Sequence, residues 1–112
     1  MPRILHIIYD RAAGGVRHEL LTGAGFDVVT VNDNFEAKEA CEQNRFKAII
    51  VGYGSPLPER KSMVDWLRNH CPGVPIISLH SPRFLPVREA DYSIDGTNTA
   101  AVVTTLRNVV GS

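Results

Sequence analysis

The chain has 112 residues, 44% of them apolar and 21% charged, with twelve basic residues balanced by twelve acidic ones. That length fits one domain (1–112) with one sizeable core and is too short for two, and the even charge balance removes any net pull toward a phosphate backbone or anionic lipid, so neither nucleic acid nor membrane is an expected partner. The opening MPRILHIIYD has an apolar run too short for a secretory segment or a membrane span, which places the protein in the cytoplasm as an expectation.

Residues 4 to 9 form a nearly unbroken apolar run, the pattern of a strand covered on both faces, and His6 is its one polar break, read as a satisfied core histidine. A helix follows over about 12 to 22, with Val16 and Leu20 at i, i+4 and Leu21 beside them; Gly14 and Gly15 weaken its start, and Gly23 and Gly25 stop it. Residues 26 to 31 make a second strand. Asp33 stands three residues ahead of Glu36 as a capping box for a helix that carries Ala37, Ala40 and Cys41 and ends near Arg45. The third strand, 46 to 51, runs out into a glycine and proline loop, GYGSPLP. A helix over about 59 to 70 then presents Met63, Trp66 and Leu67 on one stripe, closed by Pro72 and Gly73. Strands at 74 to 79 and 90 to 94 precede a last helix over about 98 to 110, capped by Thr97 or Asn98, with Val102, Leu106 and Val109 inward.

This alternation predicts an α/β fold, because each parallel crossover needs a helix-sized, right-handed connection. One connection departs from the pattern. Segment 82–89, PRFLPVRE, contains two prolines and has room for a single helical turn at most, so the helix between the fourth and fifth strands is expected to be missing or shortened. Cys41 and Cys71 show no CxxC spacing and no nearby histidine pair. They are expected to be reduced and structural, a regulatory disulfide being the alternative.

The landmarks RILHIIYD, LLTGAGFDV, FKAIIVGYGSP, VPIIS and ADYSID, in that order and spacing, resemble the receiver domain of bacterial response regulators over nearly the whole chain. The resemblance implies a three-layer αβα fold with a five-stranded parallel sheet in the order 2-1-3-4-5 and a crevice at the carboxyl ends of the strands. It also implies a set of positions. The magnesium-holding acid pair falls on Tyr9 and Asp10, the phosphate acceptor on Gly52, the hydroxyl position on His80 or Ser81, and the lysine on Asp95. Of these Asp10 clearly keeps the family's chemistry, and the hydroxyl position keeps it only if it falls on Ser81 rather than His80. Gly52 has no carboxylate to phosphorylate, and in-line phosphoryl transfer does not tolerate a displaced nucleophile.

The expectation is therefore a degenerate receiver in a two-component, phosphorelay-type context. It would not be an enzyme, would hold no cofactor, and would act through protein contacts. Phe84, Leu85 and Val87 in the shortened segment are the candidate interaction surface, together with the last helix, and a homodimer through that edge is one candidate partner. The alternative is a small ligand- or metal-binding domain using Asp10, His80 and Asp95, against the plainer reading that His80 hydrogen-bonds Asp95 or Asp10. Tyr9 and Tyr53 are expected to cap the sheet with their hydroxyls in water, stacking over the crevice being the other possibility. The DRAAGG stretch lacks the GxGxxG spacing of a dinucleotide site.

Overall fold

In the computed structural model, which describes residues 1–111, the elements follow one another as β1 (Arg3–Ile7), α1 (Arg11–Gly23), β2 (Asp27–Val31), α2 (Asn34–Gln43), β3 (Ala48–Val51), α3 (Leu57–His70), β4 (Ile76–His80), β5 (Tyr92–Asp95) and α4 (Thr99–Val109). The five strands form one sheet in the order β2-β1-β3-β4-β5. Every pairing is parallel. This is the expected αβα, flavodoxin-like order, with four helices and none between β4 and β5.

Because strand side chains alternate between faces, the apolar runs feed two cores. Leu5, Ile7, Ile49, Val51 and Ile76 pack with Ala37 and Ala40 of α2 and Met63, Val64 and Leu67 of α3. On the other face Ile4, Ala48, Ile50, Ile77 and Leu79 pack with Leu21 of α1 and Val102 and Leu106 of α4. His6 shares the parity of Ile4, so it points toward α1. Tyr92 and Ser93 on the edge strand β5 are exposed. That edge is pinned by Asp91, whose carboxylate accepts from the Ile76 N–H at 2.7 Å and pairs with Arg68 at 2.8 Å.

The caps behave as their residue types require. Asp33 Oδ1 accepts from the Glu36 N–H at 2.8 Å, and Glu36 Oε1 reaches back to the Asn32 N–H at 2.9 Å. Asn98 caps α4 through the Ala101 N–H at 3.1 Å. Gly25, at φ +98, gives α1 its left-handed stop, while Gly23 stays inside the helix.

Two helical faces differ from the expectation. On α1 the buried residues are Gly14, Arg17 and Leu21, whereas Val16 and Leu20 are 61% and 44% exposed. Gly14 decides the rotation: a Cβ there would lie 2.6 Å from Ile8 Cγ2, so this glycine is where the helix sits down on the sheet. On α3 the buried stripe is Arg60, Met63, Val64 and Leu67, and Trp66 is half-buried, stacked on the His70 ring at 4.0 Å.

Arg60 explains how the sheet manages without a helix after β4. Its Nε donates to the Ser55 carbonyl at 2.7 Å and its Nη1 to the Leu85 carbonyl at 2.6 Å, with the guanidinium carbon 5.8 Å from the Phe84 ring centroid. Segment 82–89 is further held by the Val87 N–H donating to Ser78 Oγ at 2.9 Å and by the Ser81–Phe84 bridge. Val87 is thereby sunk into the core at 1% exposure. Its expected place in an interaction surface is corrected: Val87 covers the sheet, and only Leu85, at 70% exposure, projects outward. Replacing Arg60 with leucine removes two charge-assisted bonds and frees both loops, so urea unfolding should show a loss of about 3 kcal/mol. Amide exchange should accelerate first in segment 82–89.

Candidate functional site

Parallel strands end at a common edge, so β1, β3, β4 and β5 deliver Tyr9, Asp10, Gly52, Tyr53, His80, Ser81 and Asp95 to the same end of the sheet. Asp10, Ser81 and Asp95 each take partners within their own loop. Asp10 is the N-cap of α1, accepting from the Ala12 and Ala13 N–H groups at 3.1 and 3.3 Å. Tyr9 turns away toward α2, where its hydroxyl donates to Asn34 Oδ1 at 2.5 Å. Burial, then the nearby Glu59 carboxylate, pushes its phenol well above the ordinary range. Ser81 Oγ accepts from the Arg83 N–H at 3.3 Å.

Asp95 is paired with His80 in register across β4 and β5. Its carboxylate nevertheless accepts from the Thr97 hydroxyl and N–H at 2.6 and 2.9 Å. These two bonds, more than the neighbouring His80, hold it below the usual carboxylate value. The expected His80–Asp95 hydrogen bond is thus replaced by a turn within the β5–α4 loop. Asp10, His80 and Asp95 do not gather as a metal-ligating set among the described residues.

Gly52 is buried, and its N–H donates to the Ile7 carbonyl at 2.9 Å. A Cβ at this position would stand 2.8 Å from that same carbonyl oxygen and 3.6 Å from Arg17 Nη1. The backbone of β1 approaches too closely for any side chain, and a guanidinium lies where one would point. Arg17 is 4% exposed. No carboxylate lies within salt-bridge distance of it among the described residues, and its Nε is buried without a hydrogen-bond partner there. What it has instead is His6 Nε2 at 3.0 Å and the face of Tyr53, 5.5 Å from ring centroid to guanidinium carbon. Burial draws its pKa below the ordinary arginine value.

An arginine can only donate, so His6 Nε2 must accept, and the neutral ring carries its proton on Nδ1. That proton goes to Thr30 Oγ1 at 3.1 Å, and the Thr30 hydroxyl in turn donates to His18 Nδ1 at 2.7 Å. A directed chain therefore runs Arg17, His6, Thr30, His18 across α1, β1 and β2. Its members share one face because positions 6 and 30 are register partners.

Tyr53 completes the site. Its ring lies on Gly96, where a Cβ would be 2.7 Å from Tyr53 Cε2, and stacks on Phe84 at 6.1 Å. It thus crosses the crevice from the end of β3 to the loops after β4 and β5, between Arg17 and Phe84. The capping expectation is corrected for both tyrosines, since Tyr53 stacks over the crevice and Tyr9 bonds Asn34. The residues that the sequence reading missed are Arg17 and Arg60. One signal for Arg17 was available, since a lone histidine in a doubly covered strand needs a polar partner from a covering helix.

No family model and no curated protein matches the chain. Among solved structures it is similar to a CheY-like response regulator receiver domain from Methanospirillum hungatei, at TM-score 0.85 and 16% identity over 98% of this chain and 94% of that one. It is also similar to the receiver domain of a sensor histidine kinase from Pseudomonas aeruginosa, solved with magnesium in its active-site cleft, at TM-score 0.79 and 21% identity over 99% and 98% of the two chains. A chemotaxis response regulator of Vibrio cholerae matches at TM-score 0.79 and 22% identity over 97% and 98%. The chain has the receiver fold.

The buried histidine makes a pH signature. Burial first, then Arg17, then His18, lowers His6 from 6.5 to about 3. An unfolded chain therefore takes up a proton near pH 6.5 that the folded chain refuses until about pH 3. Stability is full above 6.5 and falls as pH drops through that window. Between pH 6 and 4 the slope should approach about 1.4 kcal/mol per pH unit. Chemical denaturation across that range should show a flatter profile for His6→Gln.

Proposed function

We propose that this domain is a receiver-like signalling or adaptor module of a two-component pathway that cannot accept phosphate, is not an enzyme, and works in the cytoplasm through protein contacts. The observation that carries this reading is Gly52: the acceptor position has no carboxylate, and the Ile7 carbonyl, 2.8 Å from where a Cβ would sit, leaves no space for one. The magnesium that the resemblance implies does not fit the donors present. Asp10 is committed to the α1 cap and Tyr9 to Asn34. The Arg17 guanidinium places positive charge beside Gly52, whereas a hard dication needs converging carboxylate oxygens.

Incubation with acetyl phosphate and magnesium, followed by intact mass, should show no stable phosphoryl gain. Gly52→Asp should also remain unlabelled and should lower the unfolding midpoint, because the new side chain meets the Ile7 backbone rather than an open cleft. A labelled wild-type protein, or a stable and phosphorylatable Gly52→Asp, would remove the basis for the reading.

The contact surface is supported by the groove beside the absent helix. A cavity of about 490 Å³ is lined by Leu57, Lys61, Leu85, Pro86, Arg88 and Glu89. Leu85 is the exposed apolar anchor, and Phe84 behind it is held by Tyr53 and Arg60. The two changes should therefore separate. Leu85→Ser should weaken self-association, or capture of a partner protein, by about tenfold with the thermal midpoint nearly unchanged, while Phe84→Ser should lower both. Light scattering and thermal denaturation read the two effects.

A further inference from the structure

The end of the sheet opposite the crevice carries a different chemistry. Helices α2 and α3 pack on the same sheet face and run back toward the strand starts, so their carboxyl ends meet there. Cys41 lies in the last turn of α2, and Cys71 is the C-cap of α3, its N–H donating to the Leu67 carbonyl at 2.7 Å. Both thiols are half-buried, pack against the same core and line the same cavity of about 440 Å³. Arg45, Lys47 and His70 also line it, and no acidic residue does.

We propose that Cys41 and Cys71 form a redox-active dithiol site that admits an anionic low-molecular-weight disulfide and converts to an internal disulfide joining α2 to α3. The order of reaction follows from the environment. Burial, then Cys71 beside it, pushes the Cys41 thiol up to about 12, so Cys41 is assigned the second, resolving step. Cys71 is assigned the first attack: it gives its proton to solvent and reacts as the thiolate. It bonds to one sulfur of the incoming disulfide, and the other sulfur leaves as a thiolate that takes up a proton. Cys41 then releases its proton to solvent, attacks the Cys71 sulfur and expels the second small thiol. One disulfide is reduced to two thiols while the protein's two thiols become one disulfide. The cationic lining favours an anionic reagent over a cationic one.

The test uses the reduced 112-residue chain with oxidised glutathione and, separately, cystamine, followed by intact mass and peptide mapping. The wild type should lose two hydrogens, with the new bond mapped to 41–71. Cys41→Ser should stop at a single glutathione adduct on Cys71, and Cys71→Ser should keep its remaining thiol free. Glutathione should react about ten times faster than cystamine at low ionic strength. That preference should collapse in Arg45→Gln/Lys47→Gln. A folded wild type that keeps both thiols, or forms only intermolecular disulfides, overturns the site. Equal rates for the two reagents overturn its charge selectivity. Circular dichroism separates misfolded serine variants from unreactive ones, and the wild-type map alone decides if they misfold.

Discussion

A buried guanidinium with no carboxylate in salt-bridge reach among the described residues organises this molecule. Removing a charge from water is costly unless its donors are met, and Arg17 is met in part, by an imidazole nitrogen and by Tyr53, while its Nε has no partner among the described residues. That partial solution constrains everything near it. His6 must present an acceptor, which sets its tautomer and, through Thr30, the orientation of His18. Tyr53 must lie flat between α1 and the loops after β4 and β5, and Gly96 is bare so that the ring can rest there. Gly52 admits no side chain beneath the guanidinium. The site is therefore a closed set of mutually dependent contacts.

Arg60 meets the same physical problem differently and serves the opposite purpose. Its donors reach two backbone carbonyls in separate loops, so it ties the β3–α3 loop to segment 82–89. In a sheet of this order, the face beside β4 and β5 needs a cover. Here the cover is Val87 pressed into the core, with Arg60 and Ser78 holding the backbone around it. Leu85 is left exposed between its neighbour Phe84, which turns back onto Tyr53 and Arg60, and the buried Val87.

The two ends of the sheet consequently differ in kind. At the carboxyl end, the carboxylates of Asp10 and Asp95 are satisfied by local turns and the centre is filled by Tyr53 and Arg17. At the amino end, two helix termini leave a cavity with two thiols and a cationic lining. A fold whose ligand crevice ordinarily lies at the first of these ends here has its two thiols at the second.

The sequence by itself determined the order of elements, the parallel sheet, the cap at Asp33, the absent helix and the presence of glycine at position 52. These rest on periodicity, short-range capping and residue identity, which are local properties. The starts of β3, α3, β4 and β5 each shifted by about two residues, as loop-rich ends do. Only the tertiary structure decided which face of α1 turns inward, because a glycine that permits close approach outweighs the hydrophobicity of Val16 and Leu20, and no local pattern encodes the partner it approaches. It alone placed Arg17 and Arg60 inside, sent Tyr9 to Asn34 and Tyr53 across the crevice, buried Val87 and brought Cys41 to Cys71. Each of those outcomes depends on a contact between segments far apart in the chain, where burial and hydrogen-bond satisfaction are settled by what arrives on the other side.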